Sequence, residues 1–238
     1  MKYNNYSFTR ETNTYYDQGL RVYMLSIYQN MSMALGISAL VAYIVGSSSQ
    51  IAMMLFSTPL AYVVMFAPLI YILFFSRKLM DMDRTQAMLH LGIFAALNGL
   101  SLGSIFLVYT TASIAKTFFI TASTFGAMSI YGHTTKKDLT AAGSFAYMGL
   151  IGLVIAGLIN LFLRSPALDF TVSFIGVGIF TVLTAWDTQK LKSIYYAMNG
   201  NTARAGNIAV YGALTLYLDF INLFIMVLHF FGIRRSDN

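Results

Sequence analysis

Ala185-Trp186-Asp187-Thr188-Gln189-Lys190 closes one long apolar run of this chain, and Leu216-Tyr217-Leu218-Asp219-Phe220-Ile221-Asn222 lies inside the next. Each run carries one acid. A carboxylate alone in a lipid-spanning helix costs about 2.5–3.5 kcal/mol on the insertion scale, so an intramembrane acid marks a site and asks for a partner. The natural partner of each is the other. The chain has nine acids, and the remaining seven, Glu11, Asp17, Asp81, Asp83, Asp138, Asp169 and Asp237, fall in tails or between apolar runs.

That the runs cross a membrane follows from composition. Of 238 residues, 57% are hydrophobic and 10% charged, where a soluble domain carries about 25% charged residues. A helix needs about 20 apolar residues to cross a bilayer, whereas a membrane barrel shows alternating segments of about ten. Seven long runs are present, at about 22–45, 59–75, 87–109, 111–131, 139–163, 170–190 and 208–233. The chain therefore reads as all-α, a polytopic membrane protein of seven helices and one domain, 21–238, behind a polar tail, 1–20. The third and fourth runs almost touch, so the break near Thr110 is either a tight hairpin or a false boundary between them, with Lys116 able to snorkel to the interface.

With no cysteine, disulfide and thiolate chemistry are excluded. The net charge of +6 reports topology before it reports nucleic acid. Lys2, Arg10, Arg21, Arg77, Lys78, Arg84, Lys136, Lys137, Lys190, Lys192 and Arg204 fall on one side of a seven-span layout, against Lys116, Arg164, Arg234 and Arg235 on the other. The positive-inside rule then puts the N-terminus in the cytosol and the C-terminus outside. Only the terminal arginine pair dissents, and a last run that turned back inside the membrane would remove the dissent. The tail lacks the short apolar core of a signal peptide and the arginine-rich pattern of a mitochondrial presequence.

Small residues recur at packing spacing: Ala122 with Gly126, Ser123 with Ala127, and Gly149, Gly152 and Gly157. These read as faces on which helix backbones approach closely. His90, His133 and His229 have no partner at i+4 and point to no metal site. No cofactor is expected.

For the acids, geometry favours pairing. The sixth and seventh runs are joined by a short basic connector, so they run antiparallel as neighbours and both acids fall in the same half of the membrane. Gln189, and Asn222 one turn after Asp219, are placed to hydrogen-bond the carboxylates. Two carboxylates about 4 Å apart repel by about 4 kcal/mol at an effective dielectric near 20. Such a pair is expected to share one proton and to sense pH.

Four stretches resemble the Bax inhibitor-1, or transmembrane Bax inhibitor motif, family, and look most like a bacterial member. They are Ile120-Thr121-Ala122 with Phe125-Gly126-Ala127-Met128, Thr134-Thr135-Lys136-Lys137-Asp138-Leu139, Thr184 to Lys190, and Leu216 to Phe224. The resemblance implies seven helices, two groups of three around a central C-terminal helix, in a bacterial inner membrane. It also implies a pH-dependent calcium leak governed by an aspartate pair, at the positions of Asp187 and Asp219, with weak calcium contact there. Family members studied as calcium leaks carry a further acid in the second span and an arginine at its cytosolic end that latches the pair. This chain has Val63 and Val64 near the acid's place, and Arg77 is the candidate latch.

Three functions follow as expectations. The first is a channel-like protein in which protonation of the pair changes helix packing and permits a slow cation flux. Two carboxylates fall short of the six to eight oxygens of a tight calcium site, and weak binding suits permeation. The second is an interaction protein that modulates a membrane-anchored ATP-dependent protease through its polar tail, as bacterial relatives are thought to do. The third, an intramembrane aspartyl protease, lacks its Gly-x-Gly-Asp motif, since Tyr217-Leu218 precede Asp219. A non-enzyme embedded in lipid is the expectation carried forward.

Overall fold

Helix ends are written locally in this chain, and the breaks fall where caps and glycines stand. The computed structural model describes the backbone of residues 4–79, 82–198 and 202–235, and the side chains among them except those of 4–17, 77, 202–205 and 207. The described helices are α1 (Asn4–Ser47), α2 (Ser49–Phe56), α3 (Leu60–Lys78), α4 (Arg84–Leu102), α5 (Ile105–Val108), α6 (Thr111–Thr134), α7 (Thr140–Leu163), α8 (Pro166–Ala197) and α9 (Thr202–Phe231). Side-chain oxygens of Ser48, Asp83, Thr110 and Ser165 accept backbone N–H groups of the turns they open, which satisfies donors that no intrahelical carbonyl reaches. Pro166 stands at the start of α8, where its missing N–H costs nothing.

The long helices lie where the apolar runs do, and the chain reverses at Tyr109 and Thr110, as the hairpin alternative has it. One connector differs. Residues 49–56, read as part of a connector, form α2, which meets α3 at an 81° bend, with Pro59 at the break. The last run does not turn back, because α9 is one continuous helix of 30 residues. Five helices are long and apolar enough to cross a membrane, α1, α4 with α5, α7, α8 and α9, or six with α2 and α3 taken as one broken span. Among the described residues α6 is not one of these. Its sequence explains this, since Ser113, Thr117, Thr121 and Ser129 are buried along one face at the four-residue spacing of a helix stripe.

Side-chain contacts give the helix directions. Gly92 meets Ile37 and Gly103 meets Val45, so α4 runs parallel to α1. Gly143 meets Trp186 and Gly149 meets Ile179, so α7 and α8 are antiparallel. Gly176 meets Met226 and Gly212 meets Leu191, so α8 and α9 are antiparallel as well, while Gly212 with Ile27 and Ser38 with Tyr217 set α9 parallel to α1. One end of the bundle, called the basic end below, therefore gathers Arg21, Lys78, Arg84, Lys136, Lys137, Lys190 and Lys192, and the other holds the end of α9.

The helix α9 packs against α1, α4, α6 and α8 and is the most buried of the candidate spans. A polar anchor fixes it. Tyr217 and Ser38 hydroxyls lie 2.7 Å apart, and Ser38 Oγ lies 2.7 Å from the Ala95 carbonyl on α4. Since the single Ser38 hydrogen points at a carbonyl, Tyr217 donates and three helices are tied at one point. At the far end, residues 232–235 cover the α5–α6 break: Thr110 N–H donates to the Ile233 carbonyl, Arg235 N–H to the Val108 carbonyl and Ile233 N–H to Ser113 Oγ. There Asp169 Oδ2 lies 3.9 Å from Arg234 and Asp169 Oδ1 3.8 Å from His229, so one arginine of the dissenting terminal pair sits beside an acid.

The expected packing faces are only partly met. A Cβ on Gly126, Gly152 or Gly157 would meet nothing within 4 Å, whereas one on Gly149 would press on Ile179. The closest backbone approach near the site is at Gly132, where a Cβ would overlap the Ala185 carbonyl of α8. A small residue permits such an approach, but only the facing helix determines whether one occurs.

Candidate functional site: a buried aspartate pair

Asp187 projects from α8 and Asp219 from α9 with 8% and 6% of their surface exposed. The antiparallel packing of the two helices brings the carboxyl groups within hydrogen-bonding reach of one another. Asp219 Oδ2 is buried with no hydrogen-bond partner. Two carboxyl groups this close repel when both are ionised and can hydrogen-bond only through a proton between them, so the arrangement is one that could share a proton.

The cation that acts on both carboxyl groups is Lys190, three residues after Asp187 on the same helix face. Its ammonium stands 4.9 Å from the centre of the Trp186 ring, a cation–π seat. Trp186 in turn packs where Gly143 of α7 leaves room, since a Cβ on Gly143 would overlap the indole. The spacing Trp186, Asp187, Lys190 was present in the sequence, but Lys190 counted there only as a topological charge. Arg77, the candidate latch, lies on α3 near the basic end, and its side chain falls outside the described residues.

The two supporting amides do not serve the carboxylates as expected. Gln189 Oε1 accepts the Leu139 N–H at 2.9 Å and its Nε2 donates to the Lys137 carbonyl at 2.8 Å. Gln189 thus fastens the α6–α7 loop to α8. In that loop Asp138 accepts the Thr140 N–H, and its contacts with Thr140 hold its carboxyl below the usual range. Asn222 donates to the Leu218 carbonyl at 2.8 Å, within its own helix. Backbone carbonyls one turn away compete for such amides, and proximity in sequence cannot show which partner wins.

The structure adds a polar file that the sequence reading passed over. Thr188 Oγ1 donates to Ser129 Oγ at 3.4 Å, tying the residue after Asp187 to α6. On the same α6 stripe, Thr121 lies between Phe118 and Phe125, which both meet Phe220, so it stands level with Asp219. Its hydroxyl oxygen is buried without a hydrogen-bond partner. Thr117 and Ser113 continue the stripe toward the far end. A four-residue period of hydroxyls between apolar residues was the available signal.

Among the described residues, no group of three His, Cys, Asp or Glu is placed to hold a metal ion. The pair with its neighbouring hydroxyls offers too few anionic oxygens for a resident calcium site. His90 instead bonds the Tyr71 hydroxyl through Nδ1 and stacks on Phe75.

Comparison with known proteins places these features in a family. A family described as inhibitor of apoptosis-promoting Bax1 matches residues 20–236. The chain is 46% identical over 228 residues to the uncharacterized protein RP147 of Rickettsia prowazekii, covering 96% of each. It is 43% identical over 219 residues to the inner membrane protein YbhL of Escherichia coli, covering 91% of this chain and 94% of that one. An uncharacterized protein of Caulobacter vibrioides is 43% identical over 229 residues, 92% of each.

Proposed function

This chain belongs to the family of the inhibitor of apoptosis-promoting Bax1, and on that premise we propose that it is a pH-responsive, channel-like protein of a bacterial inner membrane. It crosses seven times, with α2 and α3 as one broken span and α6 as another. The groups α1, α3, α4 and α6, α7, α8 stand on either side of α9, and the N-terminus is cytosolic. It passes a slow passive cation leak, calcium by family analogy.

The observation that carries this reading is the hydrogen-bonding contact of two buried carboxyl groups on adjacent spanning helices. A shared proton holds α8 against α9. Its loss leaves two carboxylates that repel by about 4 kcal/mol at 4 Å and an effective dielectric near 20, which drives the helices apart and draws in cations. On this reading the protonated pair is the packed, closed one, whereas the sequence reading took protonation to permit flux, and the sign is what the flux measurement decides. Lys190 offsets the charge of the half-protonated pair. Beyond the pair, Thr121, Thr117 and Ser113 offer hydroxyl oxygens toward the far end. Oxygens few in number bind a hard cation weakly enough to release it.

The test is calcium entry into liposomes that contain the purified protein and an entrapped calcium dye, across several pH values. Flux should rise with pH. Flux equal to protein-free liposomes at every pH would end the channel reading and favour modulation of a membrane protease through the N-terminal tail.

A further inference from the structure

A cleft of about 620 Å³ opens between α1 and α6 at the basic end of the bundle. The two helices each pack on α9 but scarcely on each other, so the cleft is a lateral opening that faces the bilayer. Along α1 it runs from Leu20 to Tyr28, and along α6 from Phe125 to Thr134. At 1.5 Å per residue that is about 12 Å of depth, close to the reach of one leaflet of a hydrocarbon core about 30 Å thick.

The walls and the mouth differ in chemistry. Leu20, Met24, Phe125 and Ile130 line the interior, while Arg21 and His133 stand at the end nearer the basic connectors. Lys192 borders the same mouth, its ammonium donating to the His133 carbonyl at 2.9 Å. Among the described residues no acid lines the cleft, and neither Arg21 nor Lys192 is in an ion pair. An occupant must therefore be apolar for the depth of one leaflet and anionic at its head.

We propose that the α1–α6 cleft is a binding site for one anionic phospholipid of the leaflet at the basic end, an acyl chain lying between the helices and the phosphate held at Arg21 and Lys192. Basic openings between spanning helices recognise anionic head groups in this way, and a guanidinium grips a phosphate through two parallel N–H bonds. The site is separate from the aspartate pair but touches its support. Ser129 lines the cleft and bonds Thr188, the residue after Asp187. A bound lipid thus presses on the helix turn that backs the pair.

Native mass spectrometry of the purified full chain tests this without reference to flux. Detergent-solubilised protein is offered phosphatidylglycerol, phosphatidylcholine or inorganic phosphate. One phosphatidylglycerol should be retained per chain in preference to phosphatidylcholine, and inorganic phosphate should not displace it, because the chain contributes most of the buried surface. Arg21→Gln should lower retention by about fivefold, the worth of one cation near an anionic surface. Gly126→Leu should abolish it by filling the cleft, since a Cβ there meets nothing within 4 Å and opens into the space the lipid would take. Arg164→Gln at the far end should leave retention unchanged. Equal retention of the two lipids, retention undiminished in correctly folded Gly126→Leu protein, or displacement by inorganic phosphate would overturn the proposal.

Discussion

Trp186 packs against the bare backbone of Gly143, at a distance that leaves no room for a methyl group between α7 and α8. This contact aims the indole so that the Lys190 ammonium rests over it, and the Lys190 charge acts on both acids of the buried pair. A residue with no side chain, on a helix that does not carry either aspartate, thus governs the charge next to them.

Gly143→Ala should displace the indole and destabilise the bundle by about 1–3 kcal/mol, the usual range for overpacking. Trp186 is the only tryptophan in the chain, so intrinsic fluorescence reports this one contact. An emission maximum and thermal midpoint unchanged from wild type would mean that α7 yields without moving the indole.

The same fluorophore reads the acid pair, one residue away. Emission of the wild-type protein should change with pH as the shared proton is lost, and calcium flux should follow it. Asp187→Asn and Asp219→Asn should each flatten both responses while retaining the fold, because one carboxyl group is left without a like-charged neighbour. A neutral amide of similar volume is also cheaper to bury than a charge. Wild-type pH dependence in both variants would assign the aspartates a structural role only.

Lys190→Ala removes the cation whose charge acts on both carboxyl groups, and Arg77→Ala removes the latch suggested by family resemblance. If Lys190 is the electrostatic partner, its loss should displace the pH midpoint of flux, whereas Arg77→Ala should leave the midpoint in place. The reverse result would restore Arg77 as the latch.

At the point where three helices meet, Ser38→Ala should cost more than Tyr217→Phe. The first leaves a buried Tyr217 hydroxyl without its partner, at about 1–3 kcal/mol. The second removes one hydrogen bond, about 0.5–1.5 kcal/mol, while Ser38 keeps the Ala95 carbonyl 2.7 Å away. Denaturation in detergent micelles ranks the two, and equal losses would show that water reaches the orphaned hydroxyl.

Because α9 runs parallel to α1, the two chain ends should lie on opposite sides of the membrane. Reporter fusions after Asn238 should signal outside the cytosol, and fusions before Met1 inside it, as the basic end requires. A cytosolic signal from both ends would contradict the parallel packing of α1 and α9 as two crossing helices.

What the sequence determined by itself rests on composition and period, which are local and additive. An apolar run of about 20 residues has one stable form in lipid, because a helix satisfies every backbone group within the segment; hence the all-α class, the positions of the long helices and the isolation of Asp187 and Asp219 were legible residue by residue. The antiparallel packing of the two helices that carry them was legible too, since a short connector leaves two consecutive helices little choice. Tertiary structure alone decided where the remaining groups went. Gln189 was near the pair in sequence yet fastens a loop, because the Leu139 N–H and Lys137 carbonyl lie closer to it in space. Gly126 had the spacing of a packing residue yet borders an open cleft, while Gly143, outside any such pattern, seats the only tryptophan. Spacing fixes which face of its own helix a residue occupies, but which helix comes to lie against that face depends on the packing of the whole bundle.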